Sequence, residues 1–328
     1  MELPPAEITR QIVAGNRVVL AQAITLVESQ RQQDITLAHS LITRLLPHTG
    51  KAVRIGITGV PGVGKSTFIE AFGMYLTQQQ KKIAVLAVDP SSSKTKGSIL
   101  GDKTRMENLA RNPNAFIRPT PTGNTLGGVA DRTRETILLC EAAGFDVIII
   151  ETVGVGQSEI TVRSMVDFFM LLMLAGAGDE LQGIKKGIME MADAIVITKC
   201  DGENKKAANL AQANYRHALH LVSATDSGWQ PQVLTSSALE NTGVKETWKV
   251  ITDYLEFTQA NGYFNRNRQW QNRSWFYESI QSQLLQKIAL SEKVNANLAR
   301  FESEIMNNTL LPSEAARQLL TEVFRGSI

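Results

Sequence analysis

Nine consecutive residues, Gly59-Val60-Pro61-Gly62-Val63-Gly64-Lys65-Ser66-Thr67, constrain this 328-residue chain more than any other stretch in it. They follow a short β-branched run, Val53–Thr58, and lead into a helical stretch over 65–79. The spacing is GxxxxGK[ST], a phosphate-binding loop. Glycines let such a backbone curl so that successive N–H groups point inward and form an anion nest. The helix that follows turns its positive end to the same point. Lys65 is placed to reach the β- and γ-phosphates, and Ser66 to ligate Mg²⁺ through its hydroxyl. The alternative is a chance glycine turn, which the strand-loop-helix context argues against.

The rest of the pattern extends that unit. Apolar runs Val53–Thr58, Ile83–Val88, Val147–Ile150, Phe168–Leu174, Ala194–Thr198 and Gln232–Thr235 alternate with helical stretches over 65–79, 126–143, 204–221 and 243–259. Alternating strands and helices predict an α/β fold with a mostly parallel sheet, a P-loop NTPase core. The runs are continuously apolar, as strands covered by helices on both faces are. Residues 1–49 read as a helical region. Ile8, Ile12, Val19, Ala23 and Val27 recur at helical spacing, and a second stretch opens at Asp34 as a candidate N-cap. After the core, assigned to 50–260, helices are expected over 270–289, 293–307 and 312–325, with Ser313 as a candidate cap and Glu314 in the first turn. Trp270, Trp275, Phe276 and Tyr277 put apolar bulk in this arm, 261–328, which makes it a candidate dimer contact.

Charge narrows the partners. Lys+Arg number 34 and Asp+Glu 32, a net charge of +2, so no global basic excess argues for nucleic acid. The two cysteines, Cys140 and Cys200, make neither a disulfide framework nor a zinc box. The first residues lack the charged and apolar regions of a secretion signal, and the longest apolar run, Phe168 to Ala177, is too short to span a bilayer. A soluble cytoplasmic protein without a membrane partner is expected.

Guanine presents two ring donors, N1–H and the exocyclic amine, and a carboxylate can accept from both. Thr198-Lys199-Cys200-Asp201 follows the strand Ala194–Thr198 and has the form [NT]KxD. Asp201 would be the bidentate acceptor, and the alkyl stem of Lys199 would lie over the purine. Ser236-Ser237-Ala238 closes the next strand, as in a loop whose backbone N–H donates to guanine O6. GTP and GDP are therefore the expected ligands, with Mg²⁺. Glu151-Thr152-Val153-Gly154 stands where most GTPases read Asp-x-x-Gly, and Glu151 is long enough to reach a hydrated ion. No glutamine stands at the usual water-activating place, and Gln157 lies further along, so slow intrinsic hydrolysis is expected. Asp89, at the end of Ile83–Val88, and Asp102 are further candidates for the metal network. Ordinary turn aspartates are the alternative for both.

These segments together resemble the MeaB/ArgK family. The resemblance rests on Val88-Asp89-Pro90-Ser91-Ser92, Gly97 through Met106, Glu151 through Glu159, and Asp179 through Gly187, and spans about residues 5–325. It implies a P-loop GTPase that is homodimeric through its C-terminal arm. It also implies a chaperone of adenosylcobalamin-dependent methylmalonyl-CoA mutase, which gates cofactor loading and protects the mutase from inactivation. In that family the loop matching Asp179–Gly187 is a switch, and Lys185 matches a lysine that contributes to hydrolysis, a cation on the transferring phosphoryl group. Ser93-Lys94-Thr95-Lys96 departs from the glycine-rich first switch of the family. Two other functions compete. A metal-insertion GTPase would need soft ligands, for which His217 and His220 are the thin candidates. A kinase would transfer the phosphoryl group to a small-molecule or protein acceptor.

Overall fold

A computed structural model describes residues 3–29, 31–88, 106–120, 126–152, 158–176, 186–220, 225–289 and 292–324. Three helices come first: α1 (Pro5–Val13), α2 (Arg17–Glu28) and α3 (Gln32–Leu45). The core follows as β1 (Val53–Gly59), α4 (Lys65–Gln78), β2 (Ile83–Val88), α5 (Glu107–Arg111), β3 (Ala115–Thr120), α6 (Leu126–Ala142), β4 (Val147–Thr152), α7 (Ser158–Arg163), β5 (Phe168–Met173), α8 (Lys186–Met191), β6 (Ala194–Ile197), α9 (Lys205–His220), β7 (Gln232–Thr235) and α10 (Val244–Ala260). The chain ends with α11 (Tyr263–Ala289), α12 (Glu292–Met306) and α13 (Pro312–Phe324).

The described strands form one sheet in the order β3-β2-β4-β1-β5-β6-β7, and every pairing is parallel. Strand side chains alternate between its faces. Ala84, Leu86, Ile148 and Ile150 join a core shared with Ile8, Ile12, Leu20, Ile24 and Leu41 of the first three helices. Ile83, Val85, Val147 and Ile149 point the other way, into a core with Phe68, Phe72, Tyr254 and Leu255. The N-terminal helices pack onto α6, which itself lies against β2 and β4 on that face of the sheet. The chain separates into two compact units, Met1–Gln271 and Asn272–Ile328. In the second, Val294, Phe301 and Ala315 are buried while Phe276, Leu285, Met306 and Leu311 are exposed.

Four local expectations need correction. A seventh strand, β3, lies at one edge of the sheet, where Pro119 costs no ladder bond. Its outer edge is blunted by the Arg17 guanidinium, which donates to the carbonyls of Pro113 and Ala115. The first helical stretch is two helices. Gly15, at φ 81, turns the chain after α1, and the Asn16 side chain then caps α2 by accepting from the amides of Val18 and Val19. Asp34 does not cap α3, which begins at Gln32; its carboxylate lies in the first turn and accepts from the Ser29 hydroxyl at 2.6 Å. Ser313 likewise sits inside the first turn of α13, because Pro312, lacking an N–H to lose, occupies the opening position. No described helix is long and apolar enough to cross a membrane.

Candidate functional site

In an open parallel sheet, ligands bind outside the carboxyl ends of the strands. Gly59 ends β1 there. The loop beyond it curls through Gly62 (φ 81) and Gly64 (φ 94), conformations that glycine takes without strain. Val63 is fully buried and anchors the loop from below, while Pro61, Gly62 and Thr67 are exposed and Val60 is half-buried. α4 starts at Lys65, and no side chain caps its first amides. Those amides and the helix dipole face the loop, which is what an anion requires.

Lys65 is buried, and its ammonium donates to the carbonyls of Gly59 at 2.8 Å and Val60 at 3.3 Å. Burial pushes its pKa down, and the nearby charges of Glu151 and Glu159 push it back up. Polyanionic phosphate would act in the same direction as those carboxylates. The hydroxyl of Ser66 lies 3.3 Å from Glu151 Oε1. Glu151 is not beyond its strand, as the sequence had suggested, but inside β4, opposite Ile57 of β1 and Ala87 of β2. A hydroxyl and a carboxylate facing each other are hard oxygen donors, and two protein ligands suit an ion that keeps waters and takes the rest from phosphates. The residues present therefore fit Mg²⁺, which Ser66 and Glu151 would hold. Asp89, Asp102 and Lys185 lie outside the described residues.

The other half of the site is built by the ends of β6 and β7. Thr198 is buried and its hydroxyl donates to the carbonyls of Val63 at 2.7 Å and Met173 at 3.2 Å, which ties the phosphate loop to the segment that follows β6. The Cys200 amide donates to the Ser236 carbonyl at 3.1 Å. With Cys200 buried and Lys199 exposed, Lys199 and Asp201 are displayed on the outer side of the loop. The Lys199 stem passes 3.9 Å from where a Cβ on Gly64 would stand. The Ser237 hydroxyl donates to Asp201 Oδ2 at 2.6 Å, and Ser237 is itself bridged to Thr242 by two backbone bonds of 3.0 Å. Ala238 follows, and its amide donates to no described residue.

The structure brings the phosphate loop, Glu151, Lys199, Asp201 and Ser236–Ala238 to one end of the sheet. Sequence reasoning did not single out Glu159, buried near Lys65 on α7, nor Asn204 beside Lys199. The two cysteines stay buried: Cys140 in α6, its thiol pKa pushed up by burial, and Cys200 between Lys199 and Asp201. His217 lies on the exposed surface of α9.

Residues 20–293 match the family described as methylmalonyl Co-A mutase-associated GTPase MeaB. The GTPase ArgK of Escherichia coli is 49% identical over 96% of this chain and 95% of its own length. The mitochondrial methylmalonic aciduria type A homolog of Mus musculus is 45% identical over 96% of this chain and 78% of that protein. Among solved structures, that of a LAO/AO transport system kinase is 42% identical, has a TM-score of 0.78 and covers 98% of both chains.

Proposed function

This chain belongs to the MeaB family of mutase-associated GTPases, and from that premise we propose that it hydrolyses GTP as a nucleotide-gated chaperone of adenosylcobalamin-dependent methylmalonyl-CoA mutase. The observation that carries the reading is the joint between two recognition elements. A loop suited to a triphosphate is bonded, through Thr198 and Val63, to a loop that displays one carboxylate suited to guanine.

The reaction is GTP + H₂O → GDP + phosphate. The amides of Gly62–Thr67 and the N-terminus of α4 hold the β- and γ-phosphates. Lys65 leaves the carbonyls of Gly59 and Val60 to meet them, exchanging two neutral acceptors for a charged one. Ser66 and Glu151 would hold Mg²⁺, which would supply positive charge to the phosphate oxygens. Asp201 and Lys199 hold the base, Ser237 orients Asp201, and Ala238 offers its amide to O6. Asp89 and Asp102 complete the metal network, and Lys185 places a second cation on the transferring group when the mutase is engaged. The GTP and GDP states make different contacts with the residues around the γ-phosphate. Only such a difference can bias the mutase-binding conformation.

We further propose a homodimer formed through the C-terminal helical arm, 261–328, which carries exposed Phe276, Leu285, Met306 and Leu311, and residence in the cytoplasm. Transfer to an acceptor, the activity for which one solved relative is named, would leave labelled phosphate on that acceptor; hydrolysis leaves it free. The test is capture by an adenosylcobalamin-dependent methylmalonyl-CoA mutase with GTP and GDP analogues, beside turnover of the Lys65→Ala variant. Nucleotide-dependent capture is expected, with no turnover in the variant. Equal absence of capture with both nucleotides would remove the chaperone role, and normal turnover in the variant would remove the phosphate-loop assignment.

A further inference from the structure

Two residues are assigned to the base, Lys199 and Asp201, and a third holds them both. Lys199 sits at φ 55, in the left-handed region that side-chain-bearing residues rarely adopt. Its neighbours are each fixed elsewhere: Thr198 to the Val63 carbonyl, and Cys200 through its amide to the Ser236 carbonyl. Between those two anchors the Lys199 carbonyl is turned outward. The Asn204 side chain meets it, Nδ2 donating at 2.6 Å. The Asn204 backbone amide in turn donates to the Asp201 carbonyl at 3.0 Å, closing the short 3₁₀ turn Gly202–Asn204. One half-buried residue thus bonds the main chain of both base-reading residues.

We propose that Asn204 is a positioning residue for base selection: it holds Lys199 in its left-handed turn and Asp201 at the end of the same turn, so that stem and carboxylate meet one purine together. The proposal rests on the assignment of Asp201 to the guanine N1–H and exocyclic amine. Without the Asn204 donor, Lys199 relaxes toward negative φ, its stem leaves the space above Gly64, and the carboxylate loses its fixed aim. Aspartate at 204 is the informative replacement. It has the same shape and keeps the backbone amide, but an ionised carboxylate only accepts, and it would face a carbonyl oxygen.

The test is calorimetry of the full chain with GDP and with IDP, which lacks the 2-amino group. Wild type should prefer GDP. Asn204→Asp and Asn204→Ala should each bind GDP about tenfold more weakly, about 1.4 kcal/mol, and the GDP:IDP preference should shrink at least threefold. Asn204→Ala made in a Lys199→Gly background should add less than a twofold loss, since glycine takes φ 55 unaided. If wild type prefers GDP while Asn204→Asp keeps both the affinity and the preference within twofold, Asn204 is an ordinary turn residue and the proposal is wrong. A loss of melting temperature with an unchanged preference overturns it equally. If wild type makes no distinction between GDP and IDP, the Asp201 assignment fails, and this proposal fails with it.

Discussion

The most searching perturbation of the base-reading half of the site lies at Gly243, which faces no ligand. This glycine precedes α10 at φ 77. A Cβ built on it would stand 2.0 Å from the Thr235 carbonyl oxygen, 2.8 Å from Ser236 Cα and 3.0 Å from the Thr235 carbonyl carbon. All three atoms are backbone, and that backbone cannot retreat: Thr235 is paired with Ile197 of β6, and the Ser236 amide donates to the Ile197 carbonyl at 2.8 Å. In Gly243→Ala the turn over 241–243 must therefore give way. That breaks the two Ser237–Thr242 backbone bonds and the 2.9 Å bond from the Ser236 hydroxyl to the Thr242 carbonyl. Three bonds at about 1 kcal/mol each, plus about 1 kcal/mol for alanine in the left-handed region, give roughly 4 kcal/mol. Gly144→Ala is the matched control, because Gly144 has φ 81 with nothing within 4 Å of a Cβ, leaving only the conformational term of about 1 kcal/mol. Urea denaturation of both variants without nucleotide should separate them by about 3 kcal/mol, and only Gly243→Ala should lose GDP affinity. A separation under about 1 kcal/mol would refute the idea that this contact sets the path of the Ser236–Ala238 loop.

Three further outcomes are expected. Glu135 is mostly buried on α6, its carboxyl pushed up to about 7 by burial and then by Asp131, against Arg132, with His39 of α3 at 4.0 Å. The folded state then holds a proton that the unfolded state has already released, so stability is greatest below about pH 4.5 and falls as pH rises to 7. Glu135→Gln should gain about 3 kcal/mol at pH 8 and nothing at pH 4 in denaturant titrations; a gain independent of pH would show that the carboxylate is not the cause. Asp201→Asn should move preference toward xanthine nucleotides, because an amide donates where the carboxylate accepted; retained GTP preference in competition binding would mean another group reads the base. Lys185→Ala should lower the mutase-stimulated rate at least tenfold while GTP affinity changes less than threefold; equal losses would make it a binding residue.

The phosphate loop was legible because its chemistry is local: five loop residues between β1 and α4 admit few conformations. The largely apolar β1, β2, β4, β5 and β6 were legible for the complementary reason, since residues buried on both faces leave no polar alternation to confuse with a helix. β3 was not. Only Ala115, Phe116 and Ile117 read as strand before Arg118 and Pro119, and what makes Pro119 tolerable, its place at an edge, is a tertiary fact. The break between α1 and α2 was hidden because their apolar residues keep helical spacing across Gly15 and Asn16. In the site, Lys199 and Asp201 could be named from a four-residue pattern. Asn204 could not, because the role proposed for it depends on the sign of one φ angle, and the burial of Glu159 depends on how α7 packs.

The two ends of the sheet are held by different means, and this explains why the site can be open. At the amino ends, an aspartate stands just before each of three strands, and its carboxylate accepts from the backbone near the start of a neighbouring strand. Asp146, before β4, takes the Lys82 amide; Asp167, before β5, takes the Arg54 amide; Asp193, before β6, takes the Phe169 amide, all at 2.8 Å. Two of the three, Asp167 and Asp193, also hold half-buried arginine partners, Arg268 at 2.6 Å and Arg163 at 3.0 Å. A one-residue slip of β5 or β6 would leave the buried Asp167 or Asp193 carboxylate unsatisfied, which costs several kcal/mol, whereas the exposed Asp146 would turn to water at little cost. Register is thereby fixed from the end that carries no chemistry. The carboxyl ends need no such staples and can present uncapped amides, a buried ammonium and a half-buried carboxylate. A nucleotide would add its own contacts to these groups: at one hundred times its Kd it adds about 2.7 kcal/mol to the folded state. If the two recognition elements act as one site, that stabilisation should follow guanine nucleotides and largely vanish with adenine ones.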